Sequence, residues 1–265
     1  IHIHAFSPLE VWQGAKTLGV SLDEFLTQLK QAGLSTLPGT AAEILHDDVR
    51  KKICPDKINT ANWLEVMEKA HKVGFNTTAT VMYGHVEETF HWAAHLAAIR
   101  DLQIRTRGFT EFVPLPYVHM EAPIYLKGKS RAGPSFREAV LMHSVARIVF
   151  HGLIENIQTS WVKMGQEGVL ACLNAGANDI GGTLMNESIT RAAGADHGQE
   201  WSPISMEDAL IKMDRIPRMR TTTYANASPE RKDIAFNAAE LQQIENTAAN
   251  KLHRSKKLDS LIQIG

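Results

Sequence analysis

The chain has 265 residues, 44% of them hydrophobic and 22% charged, with a formal net charge of −1. That supports a sizeable core, in one large α/β domain or two small ones, and gives no global field toward nucleic acid or an anionic membrane. No uncharged apolar run reaches the ~18 residues of a membrane span, and no signal peptide is visible. Two cysteines, Cys54 and Cys172, lie far apart without metal-ligand spacing, which argues against a disulfide framework and fits a reducing cytoplasm. The locally basic stretches at 215–220 and 251–257 read as solvated faces.

Residues 1–6 are β-branched and apolar, hence a strand, with His2 and His4 on one face by its period of two. Ser7-Pro8-Leu9-Glu10 starts a helix, with Ser7 as N-cap, Pro8 at the first helical position and Glu10 closing a capping box. Val11, Ala15 and Leu18 form its buried stripe, and Gly19 stops it. Ser21-Leu22-Asp23-Glu24 repeats the signature, with Leu22, Phe25, Leu26 and Leu29 inward and Gly33 as the stop. A short strand over 34–37 leads into Gly39-Thr40-Ala41-Ala42-Glu43, a close backbone approach plus a carboxylate suited to ribose hydroxyls. After an irregular link through Cys54-Pro55, residues 60–73 are helical with Trp63, Met67 and Ala70 in register.

Residues 75–82 read as a buried strand that closes at Gly84 and runs into a helix reaching about residue 102. Val86, Phe90, Ala93, Ala94 and Ala97 supply that helix's apolar stripe, and Tyr83, His85 and Glu87 cluster at the strand's carboxyl end. His91 and His95 have metal-ligand spacing, but Trp92 stands where a metalloprotease motif needs Glu, so the pair reads as an exposed helix face. A strand over 107–113 carries Glu111 near its end, and the long loop 117–134 is a candidate lid. Ser135 to Glu138 is another capping box, opening a helix with Leu141, Val145, Ile148 and Val149 inward. A strand over 154–162, a short helix over 166–174 and a last strand over 178–184 follow. Gly181-Gly182 with Thr183 and Asn186 suits an anion, but no G-x-G-x-x-G, P-loop or G-x-S-x-G is present, which disfavours a nicotinamide enzyme or NTPase. Helices over 205–212 and 238–253 are expected on the outside or across one barrel end.

Six strand-then-helix units without a hairpin signal imply parallel strands with right-handed crossovers. They fit a doubly wound sheet or a TIM-barrel-like (β/α) fold with about six of eight units, and the open first strand favours the barrel. The barrel part is expected over 1–190 and a helical extension over 191–265. Such a barrel would gather His2, His4, Glu43, Tyr83, His85, Glu111, Asn186 and Glu187 around one mouth. Helix capping and structural hydrogen bonding are the competing explanations for single members of that set.

Several stretches carry a family resemblance: 2–10 (His-Ile-His-Ala-Phe-Ser-Pro-Leu-Glu), 37–45 (Leu-Pro-Gly-Thr-Ala-Ala-Glu-Ile-Leu), 78–87 (Thr-Ala-Thr-Val-Met-Tyr-Gly-His-Val-Glu) and 181–189 (Gly-Gly-Thr-Leu-Met-Asn-Glu-Ser-Ile). The chain resembles the radical S-adenosylmethionine enzymes of deazaflavin and futalosine-route menaquinone biosynthesis. Residues 109–119, 128–134 and 218–224 narrow the resemblance to the tyrosine-using branch of FO synthase, the aminoribitylaminouracil–tyrosine 4-hydroxyphenyl transferases of coenzyme F420 biosynthesis. The resemblance implies a 4Fe-4S cluster that cleaves S-adenosylmethionine to a 5′-deoxyadenosyl radical. That radical takes a hydrogen from tyrosine, and the resulting 4-hydroxybenzyl radical adds to the diaminouracil. It further implies Glu43 on the adenosyl ribose and Thr78, Thr80, Met82 and neighbours up to Tyr83 along the adenine by strand-edge backbone contacts. Tyr83, His85 and Glu111 would be catalytic, with His2, His4, Asn186 and Glu187 on tyrosine and the uracil. A companion radical enzyme, separate or fused, would close the deazaflavin.

The family's Cys-x-x-x-Cys-x-x-Cys loop has no counterpart here, and the motifs begin at what reads as the third strand. The chain is therefore expected to be a fragment that cannot cleave S-adenosylmethionine by itself. Rival readings are an aminofutalosine-type synthase or futalosine cyclase, a cluster-free barrel acting as a binding scaffold, and a metal-dependent lyase using His2, His4 and His85.

Overall fold

The computed structural model describes residues 1–184, 187–239 and 241–242. Helix α1 (Pro8–Leu18) starts on the predicted capping box, the Ser7 amide donating to the Glu10 carboxylate at 2.7 Å and the Glu10 amide donating to the Ser7 hydroxyl. Helix α2 (Leu22–Gln31) is capped by Ser21, and β1 (Thr36–Leu37) follows. Then come α3 (Asp47–Ile53), α4 (Thr60–Lys72), β2 (Asn76–Tyr83), α5 (Thr89–Thr106) and β3 (Phe109–Pro116). A loop bearing α6 (Pro123–Leu126) leads to α7 (Phe136–Val149), β4 (Asn156–Ile157) and α8 (Trp161–Asn174). Beyond the short α9 (Ile189–Ala192), the extension holds α10 (Pro203–Ile211) and α11 (Pro229–Phe236).

The four strands pair in parallel in the order β1-β2-β3-β4, and single parallel bridges from His4 to Thr36 and from Gln158 to Asp179 add one position at each side. The sheet is a partial (β/α) barrel whose spatial order is its chain order. The predicted strands over 1–6, 154–162 and 178–184 are shorter than their apolar runs suggested, each holding only one or a few pairings. The predicted strand over 107–113 is longer, continuing through Pro114 and Pro116. Backbone pairing alternates sides along β3: Phe112 accepts from the Gln158 amide on the β4 side, while the Tyr117 amide donates to Tyr83 on the β2 side. Pro114 and Pro116 share the orientation of Phe112, so their missing N–H groups face the region where β4 has already ended.

Alternation along β2 sends Ala79, Val81 and Tyr83 into the helical layer, where they pack with Trp63 and Met67 of α4, Ile99 and Leu102 of α5, and Met142 of α7. A second cluster joins Val11, Ala15, Phe25 and Leu26 to Leu37 and Ala70. A third packs Trp161, Val169 and Cys172 against Trp201 and Met206, fastening the extension to α8. Two predicted helix stripes are corrected. In α5 the buried face is Trp92, His95, Leu96, Ile99 and Leu102, while Phe90 is exposed. His91 and His95, expected on an exposed face, are both buried, and His95 accepts from the Leu45 amide at 3.0 Å. Burial lowers the His95 pKa to about 3, so the ring is a neutral core acceptor. In α7, Ala139, Met142, His143 and Ala146 face inward, leaving Leu141 and Ile148 outside. In α7 the alanines at 139 and 146 face inward, whereas in α5 the large residues are buried and Ala93, Ala94 and Ala97 are not. Leu18 of α1 is likewise exposed. Most of the predicted helix over 238–253 lies outside the described residues.

The link after β1 is set by close packing. A Cβ on Gly39 would stand 2.3 Å from the Thr78 carbonyl oxygen, a contact that cannot form without shifting β2. Gly182 has open space around it. Gly39→Ala is expected to destabilise the chain by about 2 kcal/mol or more and Gly182→Ala by about 0.5 kcal/mol or less, read from urea midpoints at constant m.

Candidate functional site

The carboxyl end of β2 is organised by one buried carboxylate. Glu87 accepts from the Gly84 amide, the His85 amide at 2.8 Å and the Trp92 indole at 2.9 Å. Its Oε2 lies 2.9 Å from His85 Nδ1, and Arg131 Nη2 approaches Oε1 at 3.5 Å. Burial alone would raise the Glu87 pKa, but the bond and charge of His85, the Gly84 amide and the Trp92 indole hold it well below the usual carboxylate range. The His85 ring is buried, its Nδ1 facing Glu87 and its Nε2 2.9 Å from the Met82 carbonyl. Arg131 comes from the loop over 117–134 and also reaches Glu138 at 2.7 and 2.9 Å, so the expected lid is pinned to the end of β2. Tyr83 does not join this cluster: it is buried on the helix side, edge-on to Trp92, and its hydroxyl has no partner.

After β1, Ala41 and Glu43 adopt positive φ values of 61° and 45°, a conformation that non-glycine residues rarely hold. Buried Arg50 stabilises the strained turn by donating to the Ala41, Ala42 and Ile58 carbonyls. The Glu43 carbonyl then accepts from the Met82 amide at 2.9 Å, and its carboxylate pairs with Lys57 at 2.8 Å. The Thr78 hydroxyl accepts from the Gly39 amide at 2.8 Å and the Thr80 hydroxyl donates to its carbonyl at 2.6 Å. The 39–43 link thus runs beside Thr78 to Met82, along the edge of β2 that β1 leaves after Thr77, while β3 pairs the other edge. Met82 is half-buried on the face opposite Tyr83.

A second polar group lies toward the amino-terminal end of the sheet. His2 Nε2 and His4 Nδ1 both bond the Thr36 hydroxyl, at 2.8 and 2.7 Å, and Thr36 pairs with the first residue of β2. Glu111 is the third residue of β3, opposite Thr78, and not near a carboxyl end. It accepts from Gln158 Nε2 at 3.0 Å and the Tyr224 hydroxyl at 2.5 Å, with Arg220 Nη2 at 3.6 Å. Arg220 is clamped by Asp179 and lies over the Tyr224 ring, 4.2 Å from its centroid. Burial raises the Glu111 pKa, against the Tyr224 bond and the Arg220 charge, and burial with the nearby Asp179 and Glu111 pushes the Tyr224 phenol up. A cavity of about 1020 Å³ adjoins this network, between the Asp179 end of the sheet and the extension. The expected single mouth is therefore two sites. His2, His4 and Glu111 stand apart from Glu43, His85 and Glu87, and His85 is not brought to the other histidines. Among the described residues no three His, Cys, Asp or Glu side chains are placed to hold a metal, which removes the basis of the metal-dependent lyase.

The carboxyl end of β3 opens on a smaller cavity of about 280 Å³, lined by Tyr117, His119, Lys163 and His197 among others. Glu187, expected on substrate, caps α9 by accepting the Thr190 amide at 2.8 Å, while its Oε2 is buried without a partner. Asn186 lies outside the described residues. Sequence reasoning missed Arg131, Lys163 and the Gln158–Arg220–Tyr224 set. Arg131 and, of the last set, Arg220 and Tyr224 lie in stretches, 128–134 and 218–224, that the resemblance drew on, whereas Lys163 carried no signal.

Two outcomes test these networks. Because its folded pKa is depressed, Glu87 contributes stability that is full above the ordinary carboxylate pKa of roughly 4.3 and is lost as pH falls below it. Glu87→Gln is expected to flatten the acid limb of a stability–pH curve, measured by urea titration from about pH 6 downward. Tyr224→Phe removes a donor from Glu111 and is expected to lower stability by about 1–2 kcal/mol, with faster proteolysis of the extension.

Residues 106–232 match the family described as CofH/MqnC C-terminal region. The chain is 52% identical over 224 residues to the 5-amino-6-(D-ribitylamino)uracil–L-tyrosine 4-hydroxyphenyl transferase of Methanocaldococcus jannaschii, covering 84% of this chain and 62% of that protein. It is 50% identical over 225 residues to the FO synthase of Mycobacterium leprae, covering 85% of this chain and 26% of that one. The crystal structure of methylornithine synthase matches with a TM-score of 0.56 at 16% identity, over 80% of this chain and 63% of that one, a likeness of fold. The chain spans less than two thirds of the length of these relatives. Over 106–232 it is similar to the CofH/MqnC C-terminal region, and over the length it spans it is similar to FO synthases and 4-hydroxyphenyl transferases.

Proposed function

We propose that this chain is the barrel portion of a radical S-adenosylmethionine transferase joining the 4-hydroxybenzyl part of tyrosine to 5-amino-6-(D-ribitylamino)uracil, in the route to deazaflavin. The observation that carries the reading is 52% identity over 84% of the chain to a protein named for that reaction. In this reading residues 1–190 are the barrel part and the remainder an extension packed on it. No helix among the described residues is long and apolar enough to cross a membrane, which is compatible with a cytoplasmic enzyme.

The two cysteines do not fit a 4Fe-4S cluster. Both are buried, burial pushes the Cys172 thiol up to about 11 and raises Cys54, and neither has a second cysteine beside it. The reading therefore needs cluster ligands from a Cys-x-x-x-Cys-x-x-Cys segment, and no step through a cluster is assigned to these residues. Toward S-adenosylmethionine the fit is better. Glu43 gives one oxygen to Lys57 and keeps a second acceptor for a ribose hydroxyl. Thr78 and Thr80 act one step removed, holding Gly39 and hence the turn that presents Glu43. When bound, S-adenosylmethionine supplies the radical chemistry. This chain's part is to hold the substrates at the carboxyl ends of the strands, with His85 buried beside Tyr117 and the loop pinned by Arg131 excluding water. His2, His4 and Glu111 act from the barrel's amino-terminal half, where Glu111 also receives the extension. A companion radical enzyme, separate or fused, would complete the deazaflavin, and the FO synthase match over 26% of its length leaves room for the fused arrangement.

The family description joins two protein types, which makes a futalosine-route enzyme the second reading. The test supplies the chain with a cluster-bearing segment, reconstitutes it anaerobically, and gives it S-adenosylmethionine, L-tyrosine and the diaminouracil. A coupled product seen by mass spectrometry is expected. Turnover with a futalosine derivative and none with tyrosine would overturn the proposal. Glu43→Gln is expected to weaken S-adenosylmethionine binding about tenfold, and unchanged affinity removes Glu43 from the ribose.

A further inference from the structure

The segment that presents Glu43 is fastened to α5 at two successive residues, each time by a histidine of that helix. The Leu45 amide donates to His95 Nδ1 at 3.0 Å. At the next position the His46 and His91 rings meet edge to face, their centroids 4.6 Å apart and their planes at 82°. Phe90 lies against both, its centroid 5.8 Å from that of His46 and 3.7 Å from that of His91. His91 Nδ1 accepts the Glu88 amide at 3.0 Å, whereas His46 Nδ1 is buried without a partner. The His46 carbonyl takes the Val49 and Arg50 amides that open α3, and Arg50 in turn holds the strained turn at Ala41 and Ala42.

Edge-to-face contact suits two neutral rings. A proton on one ring puts a cation into a desolvated contact, and a proton on each sets two like charges side by side. His91 also stands in the first turn of α5, at the positive end of an 18-residue helix. Among the described residues no carboxylate is bonded to either ring. Asp47 is taken by the Thr60 amide and hydroxyl, Asp48 faces Lys51 at 3.8 Å, and Glu43 pairs with Lys57. Arg50 donates to carbonyls, and His95 stays neutral with a pKa of about 3. Glu87 is committed to Gly84, His85 and Trp92. Burial and the neighbouring His46 outweigh the charges of Glu88 and Glu87 and lower the His91 pKa. We propose that the His46–His91 contact is a pH-sensitive joint. Neutral, it closes the segment 39–46 onto α5; protonated, its rings repel and free that segment, Glu43 included, from the helix. Because the folded state disfavours the proton, the stabilisation is full above the ordinary histidine pKa of roughly 6.5 and is lost as pH falls below it. The joint stands apart from the function proposed above; only the release of a ligand held by Glu43 rests on that reading.

Amide-resolved hydrogen exchange of the whole chain, corrected for intrinsic rates, tests the joint between about pH 7.5 and about pH 5.5. Protection of the Leu45 and Met82 amides, which bond His95 and the Glu43 carbonyl, should fall about tenfold or more, while that of Thr77 in β2 stays constant. Glu87, held well below the ordinary carboxylate range, stays charged throughout and does not contribute. His46→Phe keeps an aromatic edge, loses no hydrogen bond to the protein, and should hold both amides at constant protection. Ring nitrogen shifts in the unmodified chain give a second measurement, which decides the matter if His46→Phe does not fold. The His91 ring should titrate below roughly pH 6.5, in steps shared with His46. Protection that does not fall, an equal fall in His46→Phe, or a His91 ring titrating at or above roughly pH 6.5 independently of His46 would overturn the joint. A fall that reaches Thr77 equally would assign the effect to global unfolding and overturn it as well.

Discussion

Strands β2 and β3 pair in parallel from Thr77 to Tyr83, and a parallel pair has two unlike ends. At the carboxyl end the chain must turn away into a helix, and the turn leaves amide groups with no strand to bond. Glu87 collects them: its carboxylate receives the Gly84 and His85 amides while anchoring Trp92 of the following helix. The same oxygens draw in Arg131, so the position of the long loop depends on a charge planted at the strand's end. The geometry of the mouth follows from that single desolvated carboxylate.

The amino-terminal half is built differently. There Glu111, Gln158, Asp179, Arg220 and Tyr224 come from two strands, a strand-end segment and the extension, and each satisfies another. Nearly every polar atom in the set has a partner, which is the signature of a network that specifies docking. Beyond the other end, by contrast, a Glu187 oxygen is buried without a partner. The two ends of one sheet thus differ in how completely their polar groups are used.

Much of the fold was legible because it rests on local rules. The Ser7–Glu10 and Ser135–Glu138 boxes, the glycine stop at Gly19 and the Trp63–Met67–Ala70 face are written within a few residues of each other and appear as expected. What was not legible depends on distance. Period two assigns a side chain to a face but not to a height along the strand, so Glu111 and His85 looked like neighbours although they occupy opposite ends. Pro114 looked like a terminator because its tolerance depends on where β4 stops, more than forty residues later. The inward face of α7 was misread because hydrophobicity marks large residues, while Ala139 and Ala146 are buried and Leu141 is exposed; in α5 the error ran the other way, an alanine stripe standing for the face that Trp92, Leu96 and Ile99 occupy. The candidate site divides the same way: Glu43, His85 and Glu87 stand in contiguous motifs, whereas Lys163 is one lysine among many until the cavity shows what surrounds it.

The identity of spatial and chain order in the sheet bears on how the molecule is made. Each strand's neighbour is the one synthesised just before it, so contacts close over one unit at a time and loop-closure entropy is met in small instalments. A chain of this kind can condense strand by strand while later units are still being translated. Arg220 and Tyr224 are made after the other members of that network and seal the Glu111 face only when Asp179 is in place. The nascent chain therefore keeps this polar face open to water until the extension has been made.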